Sequence, residues 1–127
     1  MIVVDASAAL SALLNDGPAR AALASEQLHA PHLIDSEVAN AVRRRVAARQ
    51  LDARDGWAAL EVLRRLGMSR YPTFGMLERI WELRHNLSAY DASYVALAEL
   101  LGCNLLTADL RLGHAPTMRC AITIVPR

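Results

Sequence analysis

Two acids stand close behind apolar runs of the chain: Asp5 directly after Ile2-Val3-Val4, and Asp109 just beyond Asn104-Leu105-Leu106-Thr107. A carboxylate placed there is partly stripped of water, which is costly unless it is hydrogen-bonded, paired or bound to a cation. Each has a hydroxyl two places away, Ser7 for Asp5 and Thr107 for Asp109, able to orient the carboxylate or a water beside it. Asp91 heads a helical segment whose residues three, four and seven places on are Tyr94, Val95 and Ala98, so it faces inward. Glu37 falls in a first helical turn and shares a polar stripe with Asn40 and Arg44.

Each acid also has a purely structural reading. Acids in a first helical turn favour the macrodipole, and an Asp after a strand often caps the next helix. Glu37 on its own reads as such a first-turn acid, and for Asp91 the cap and the inward-facing site both stay open. The set says more than its members, because two strand ends and two helix starts converge on one rim in an α/β domain. No Lys is present to neutralise them, since all fourteen basic residues are Arg. Converging carboxylates raise one another's pKa unless a cation intervenes. An all-oxygen cluster suits Mg²⁺, with Mn²⁺ as a substitute, whereas Zn²⁺ would call for His and Cys spacings that are missing. His29, His32, His85 and His114 read as scattered surface or loop residues.

The elements that position these residues follow from hydrophobic periodicity and turn signals. Ile2 to Val4 predicts a buried strand, and an Ala- and Leu-rich helix runs from about Ala6 to the turn Asn15-Asp16-Gly17-Pro18, where Pro18 opens a second helix. A strand near Gln27 to Ala30 leads through Pro31 into a helix with Val38, Val42 and Val46 on one stripe, ending about Arg49. Helices over about Asp52 to Leu66 and Thr73 to Asn86 flank a short strand, Met68 to Tyr71. A further helix runs from Tyr90 to Leu101 and stops at Gly102, and strands follow at Asn104 to Thr107 and Ala121 to Val125. Short apolar strands alternating with amphipathic helices predict an α/β fold with a parallel sheet covered on both faces.

At 127 residues the chain predicts one domain, 1–127. Apolar residues make up 54% and charged ones only 21%, a balance that leaves apolar surface for a partner, and Trp57, Trp81 and Leu77 are candidates for such a patch. Cys103 and Cys120 each precede a strand and read as small buried thiols. The start of the chain has no basic region or cleavage pattern, and no apolar run nears the roughly 20 residues of a membrane span, so the expectation is a cytoplasmic protein. A net charge of +1 excludes a generally basic nucleic-acid coat. Local charge is another matter, because Arg43 to Arg54 holds five Arg against one Asp. Arg44 lies on the Glu37 stripe and could meet a phosphate. Arg45 and Arg49 share a different stripe that reads as solvated, and Arg111 is either a phosphate contact or half of an ion pair.

Four segments, Val-Asp-Ala-Ser at 4–7, Ser-Glu-Val at 36–38, Ala-Tyr-Asp-Ala-Ser-Tyr at 89–94 and Leu-Thr-Ala-Asp-Leu-Arg-Leu at 106–112, resemble in order the motifs of PIN-domain ribonucleases, specifically the VapC toxins of bacterial VapBC toxin–antitoxin pairs. Residues 50 to 88 carry no motif. The resemblance implies a five-stranded parallel sheet of order 3-2-1-4-5 and an acidic quartet of Asp5, Glu37, Asp91 and Asp109 holding Mg²⁺. Ser7 and Thr107 would steady the acids; Asn40, on the Glu37 stripe, is a further candidate for that role, and Arg44 and Arg111 stay the candidates for RNA phosphate contact. It further implies an endoribonuclease that hydrolyses phosphodiesters with metal-activated water, a VapB-type antitoxin whose disordered tail covers the acids, and a homodimer within a larger complex. A catalytically idle module that keeps the fold and only binds a partner is the alternative. Receiver domains and phosphoaspartyl hydrolases also place acids at strand ends, but they use a Lys that this chain lacks.

Overall fold

A computed structural model describes residues 1–127. Strand β1 (Ile2–Val4) is the middle strand of a five-stranded, wholly parallel sheet that also contains β2 (Leu28–Pro31), β3 (Met68–Tyr71), β4 (Asn104–Thr107) and β5 (Ile122–Ile124). The order is β3-β2-β1-β4-β5, as the family resemblance implies. Ile2 pairs with Leu28 on one side and Asn104 on the other, and Val4 sits opposite Leu106. Val3 and Val4 have no exposed surface, which explains an unbroken β-branched run rather than an alternating one.

The chain steps outward from β1 through β2 to β3, then returns to lay β4 beside β1. Right-handed crossovers therefore place the helices of the outward leg on one face and those of the return on the other. The first layer holds α1 (Ala6–Leu14), α2 (Pro18–Ser25), α3 (Leu33–Ala47) and α4 (Ala53–Arg65), which pack on one another. The second holds α5 (Leu77–Glu82) on α6 (Ala89–Leu101), with α6 against β1, β2 and β4. Residues Ala92 to Ala98 of α6 are all buried, so this helix is enclosed by the sheet, α5 and their connections. Small residues set the close approaches in the first layer. Ala8, Ala9 and Ala12 of α1 are buried, and a Cβ at Gly56 of α4 would lie 3.0 Å from Val42 and 3.1 Å from Val46 on α3.

Several expectations need correction. The predicted helix from Thr73 to Asn86 is broken into a 3₁₀ turn, Phe74–Met76, the short α5, and turns beyond it. Arg84 helps end α5 by donating to the Trp81 carbonyl at 2.9 Å while its guanidinium stacks 4.3 Å from the Trp81 ring centre. Trp57, Leu77 and Trp81 are all exposed, at 59%, 57% and 66%, but they do not form one patch, because Trp57 lies on α4 and the other two on α5, in opposite layers. His29 is no loop residue: it sits on β2, half-buried, with Nδ1 2.6 Å from the Tyr71 hydroxyl on β3. Cys103 and Cys120 are free and half-buried, and burial pushes the Cys120 thiol up to about 11.

Gly102 ends α6 at φ 66°, in the left-handed region, and passes the chain into β4 with the Cys103 N–H bonded to the Ala98 carbonyl at 3.0 Å. Replacing it with Ala should destabilise the protein by about 1–2 kcal/mol, and Gly102→Asn by less. Chemical unfolding midpoints of the two variants and the parent check this ordering.

Candidate active site

The strand order reverses between β1 and β4, which is where open parallel sheets form their ligand crevice. Asp5 ends β1 there and is only 5% exposed. It caps α1, its Oδ1 accepting from the Ala8 N–H at 2.9 Å and the Ser7 hydroxyl at 2.7 Å, and its Oδ2 accepts from the Thr107 hydroxyl at 2.5 Å. With both hydroxyl protons given to Asp5, the Ser7 and Thr107 oxygens are free to accept. Ser7 Oγ takes the Ala108 N–H at 2.9 Å and Thr107 Oγ1 takes the Asp109 N–H at 3.0 Å. Ser7 thus orients Asp5 as its spacing suggests. Thr107 gives its hydroxyl to Asp5 and not to the Asp109 carboxylate.

Asp91 sits in the first turn of α6, whose cap is Ser88; the Ser88 hydroxyl accepts the Asp91 N–H at 3.1 Å. Ser88 is therefore the cap, and Asp91 is an acid of the first turn, a position that also favours the helix macrodipole. Its charge reaches the other acids: burial raises the pKa values of Asp5, Glu37 and Asp91, and repulsion from Asp91 adds to the first two while repulsion from Asp109 adds to Asp91. Glu37, half-buried near the start of α3, accepts from the Tyr94 hydroxyl of α6 at 2.6 Å. Tyr94 is 1% exposed, and burial together with that bond holds its phenol far above its ordinary value. Position 94 lies on the expected inward stripe of α6, but the sequence reads it as core, and nothing in its spacing signals a bond across the sheet edge to Glu37.

Asp109 behaves differently. Arg111 closes a two-pronged bond on it, Nε at 3.1 Å and Nη2 at 2.8 Å, and the Arg111 N–H adds a third contact at 3.0 Å. These bonds hold Asp109 below the usual carboxylate range. Of the two readings for Arg111, the structure takes the ion pair. Asn40, expected near Glu37, instead accepts from Arg43 on the solvent side of α3 at 3.1 and 2.9 Å, because the Arg43 fork three places on brings two donors within reach.

No three of the acids stand in a metal-ligating arrangement as these side chains lie, since Arg111 claims Asp109 and Tyr94 claims one oxygen of Glu37. The donor chemistry nevertheless fits a hard divalent cation: four carboxylates, no competing His or Lys, and three of them under mutual repulsion that such a cation would relieve.

Two results should follow in metal-free buffer. Asp5, Glu37 and Asp91 bind protons more tightly folded than unfolded, so stability should fall as pH rises from the ordinary carboxylate value, 3.8 for Asp, through their raised folded values. Asp109 has the opposite sign, losing its contribution below the ordinary value. Asp91→Asn should flatten the decline, as urea midpoints between about pH 4 and pH 8 would reveal. Tyr94→Phe should cost about 1–2 kcal/mol at neutral pH by taking a donor from the Glu37 carboxylate, and less once Glu37 is protonated, which the same titration measures.

Comparison with known proteins gives one family. The PIN domain matches residues 2–117. The chain is 62% identical over 127 residues to ribonuclease VapC9 of Mycobacterium tuberculosis, covering all of both chains, and 43% identical to ribonuclease VapC1 of the same organism, covering 97% of this chain and 96% of that one. The crystal structure of PAE2754 from Pyrobaculum aerophilum superposes with a TM-score of 0.71 at 28% identity, over 95% of this chain and 81% of that one. With the PIN domain matched over most of its length, a VapC relative 62% identical end to end and a parallel sheet of order β3-β2-β1-β4-β5, the chain belongs to the PIN-domain family and, within it, to the VapC proteins.

Proposed function

We propose that the chain is a Mg²⁺-dependent endoribonuclease, the toxin of a type II toxin–antitoxin pair, acting in the cytoplasm. The observation that carries this reading is the cluster of acids around Asp91, unneutralised by any Lys, in a VapC chain whose relative of 62% identity is a ribonuclease by name. Asp5, Glu37, Asp91 and Asp109 would hold Mg²⁺, or Mn²⁺ in its place, which when bound supplies an activated water and neutralises charge gathering on a phosphodiester.

The residues themselves do the positioning. Asp5 is fixed by three donors from α1 and β4, so its carboxylate cannot swing. Tyr94 holds one Glu37 oxygen and leaves the other free. Asp109 has to leave the Arg111 fork to join the other three, which frees a guanidinium at the rim to meet the substrate phosphate. No helix of the structure is long and apolar enough to cross a membrane. A homodimer and a VapB-type antitoxin covering the acids complete the proposal, and the exposed Leu77 and Trp81 of α5 offer the first of these an apolar face.

With a mixed RNA pool and Mg²⁺, the purified chain should cleave, EDTA should stop it, and Asp91→Asn should lower the rate by about 100-fold or more. Mg²⁺ or Mn²⁺ should also raise the melting temperature of the parent more than that of the variant. Undiminished cleavage in EDTA would overturn the metal-dependent mechanism.

A further inference from the structure

We propose that the cleft between α1 and α3 is a binding subsite for a nucleic-acid backbone phosphate flanking the bond to be cut, with Arg44, Arg45 and Arg127 as its cationic wall. This rests on the nuclease reading of the adjoining acids. The cleft encloses about 230 Å³ and shares Ser7 and Glu37 with the acidic site, so whatever fills it continues directly from the acids. That volume falls below the roughly 300–1,000 Å³ of pockets that take a drug-sized ligand, and it suits a phosphate with its sugar.

The three arginines are free for a ligand. Arg44, Arg45 and Arg127 make no side-chain hydrogen bond or ion pair, whereas Arg20, Arg43, Arg70, Arg79, Arg84 and Arg111 are each engaged within the protein. Arg44 and Arg45 come from α3 and Arg127 from the tail after β5, so the charge arrives from two separate segments. The tail is not loose there. The Ser11 hydroxyl of α1 donates to the Pro126 carbonyl at 2.6 Å, and the Val125 N–H donates to the Thr107 carbonyl at 2.8 Å. Those two bonds fix the backbone that leads to Arg127, which borders both this cleft and the neighbouring one that holds Asp109. Glu37 is the one acidic side chain among the lining residues and Arg127 also acts on Asp109 next door, so three guanidinium groups leave the lining cationic and suited to a polyanion.

Position along α3 says which phosphate is bound. Arg44 lies seven residues from Glu37, about 10 Å along the helix axis. That spacing suits a phosphate beside the scissile one. An acidic segment of a partner protein would meet the same forks, but only a strand threaded through the acids fills the cleft and the reacting centre at once.

The test uses the full chain carrying Asp91→Asn, so that RNA is bound without being cut, and a fluorescent single-stranded RNA oligomer titrated over a salt series. Arg44→Ala, Arg45→Ala and Arg127→Ala should each weaken binding and lower the log–log salt slope, and the three together should lower it by about 0.7, the share of one phosphate contact on a single strand. Arg45→Lys should restore the slope. Ser11→Ala, which unpins the tail, should reproduce part of the Arg127→Ala loss, whereas Arg54→Ala at the start of α4 should leave affinity and slope unchanged. Cleavage by the otherwise unmodified chain, run in parallel, separates the two levels of the argument. If that chain cuts RNA while the cleft variants keep the parental slope, the subsite is wrong and the nuclease reading stands. If it neither cuts nor binds RNA, both fall. Cleft variants that lose only a protein partner, with RNA binding intact, would assign the arginines to that partner and overturn the proposal.

Discussion

Asp5 keeps a carboxylate at 5% exposure, where loss of water favours the neutral acid, and donors from Ser7, Ala8 and Thr107 work against that preference. The three donors come from the start of α1 and the end of β4, so satisfying one buried acid joins the first helix to the two strands that flank the crevice. The Asp5 N–H adds to this by bonding to the Leu106 carbonyl at 3.1 Å. The helix cap, the strand end and the site are thus one set of contacts. A change at Asp5 disturbs all three, whereas Asp91, which caps nothing, can be altered for its charge alone.

Two groups of arginines do different work. Arg70 closes on Asp35 at 2.7 and 2.8 Å, tying β3 to α3, and Arg79 closes on Glu99 at 2.7 and 3.1 Å while donating to the Thr117 carbonyl at 2.8 Å. The Glu99 carboxylate also accepts the Arg119 N–H at 2.7 Å, so one half-buried ion pair holds the 117–119 turn against α5 and α6. These are fork-shaped contacts that a Lys would make with one prong at most. The second group, Arg44, Arg45 and Arg127 around the α1–α3 cleft, has no internal hydrogen-bond or ion-pair partner. An all-Arg composition therefore acts as scaffold in one part of the molecule and as ligand surface in another.

Much of this could be read from residue types because local and global preferences agree. The continuous burial of Ile2 to Val4, the Val38-Val42-Val46 stripe and Gly102 each permit only one arrangement, and the structure has it. The readings that failed concern side chains choosing between near-equal partners. Asn40 could face Glu37 or Arg43 from the same helix position, and the nearer fork wins. Thr107 sits two residues from Asp109 in sequence but beside Asp5 in space, a neighbour defined by the β1–β4 pairing and not by spacing. Tyr94 and Arg127 reach the site across elements far apart in the chain, so no local pattern announces them. The segment from Thr73 to Asn86 misleads for a different reason: Met76, Ile80 and Leu83 carry helical spacing and are buried while Phe74, Leu77 and Trp81 point outward, and the chain meets that spacing with a 3₁₀ turn, the short α5 and turns beyond it.

The pairing of β1 with β4 also has a consequence for synthesis. Ile2 finds Asn104, and Val4 finds Leu106, only after about a hundred further residues have been made. At about 5–20 residues per second, the central strand waits roughly 5–20 s with one edge unpaired while the ribosome supplies its neighbour. An apolar, β-branched strand with an open edge is the kind of segment that recruits other chains. Here it is three residues long and ends in an acid, which is how natural sequences guard such edges. On the nascent chain Asp5 would thus serve first as a gatekeeper against misassociation, long before Thr107 arrives to bind it.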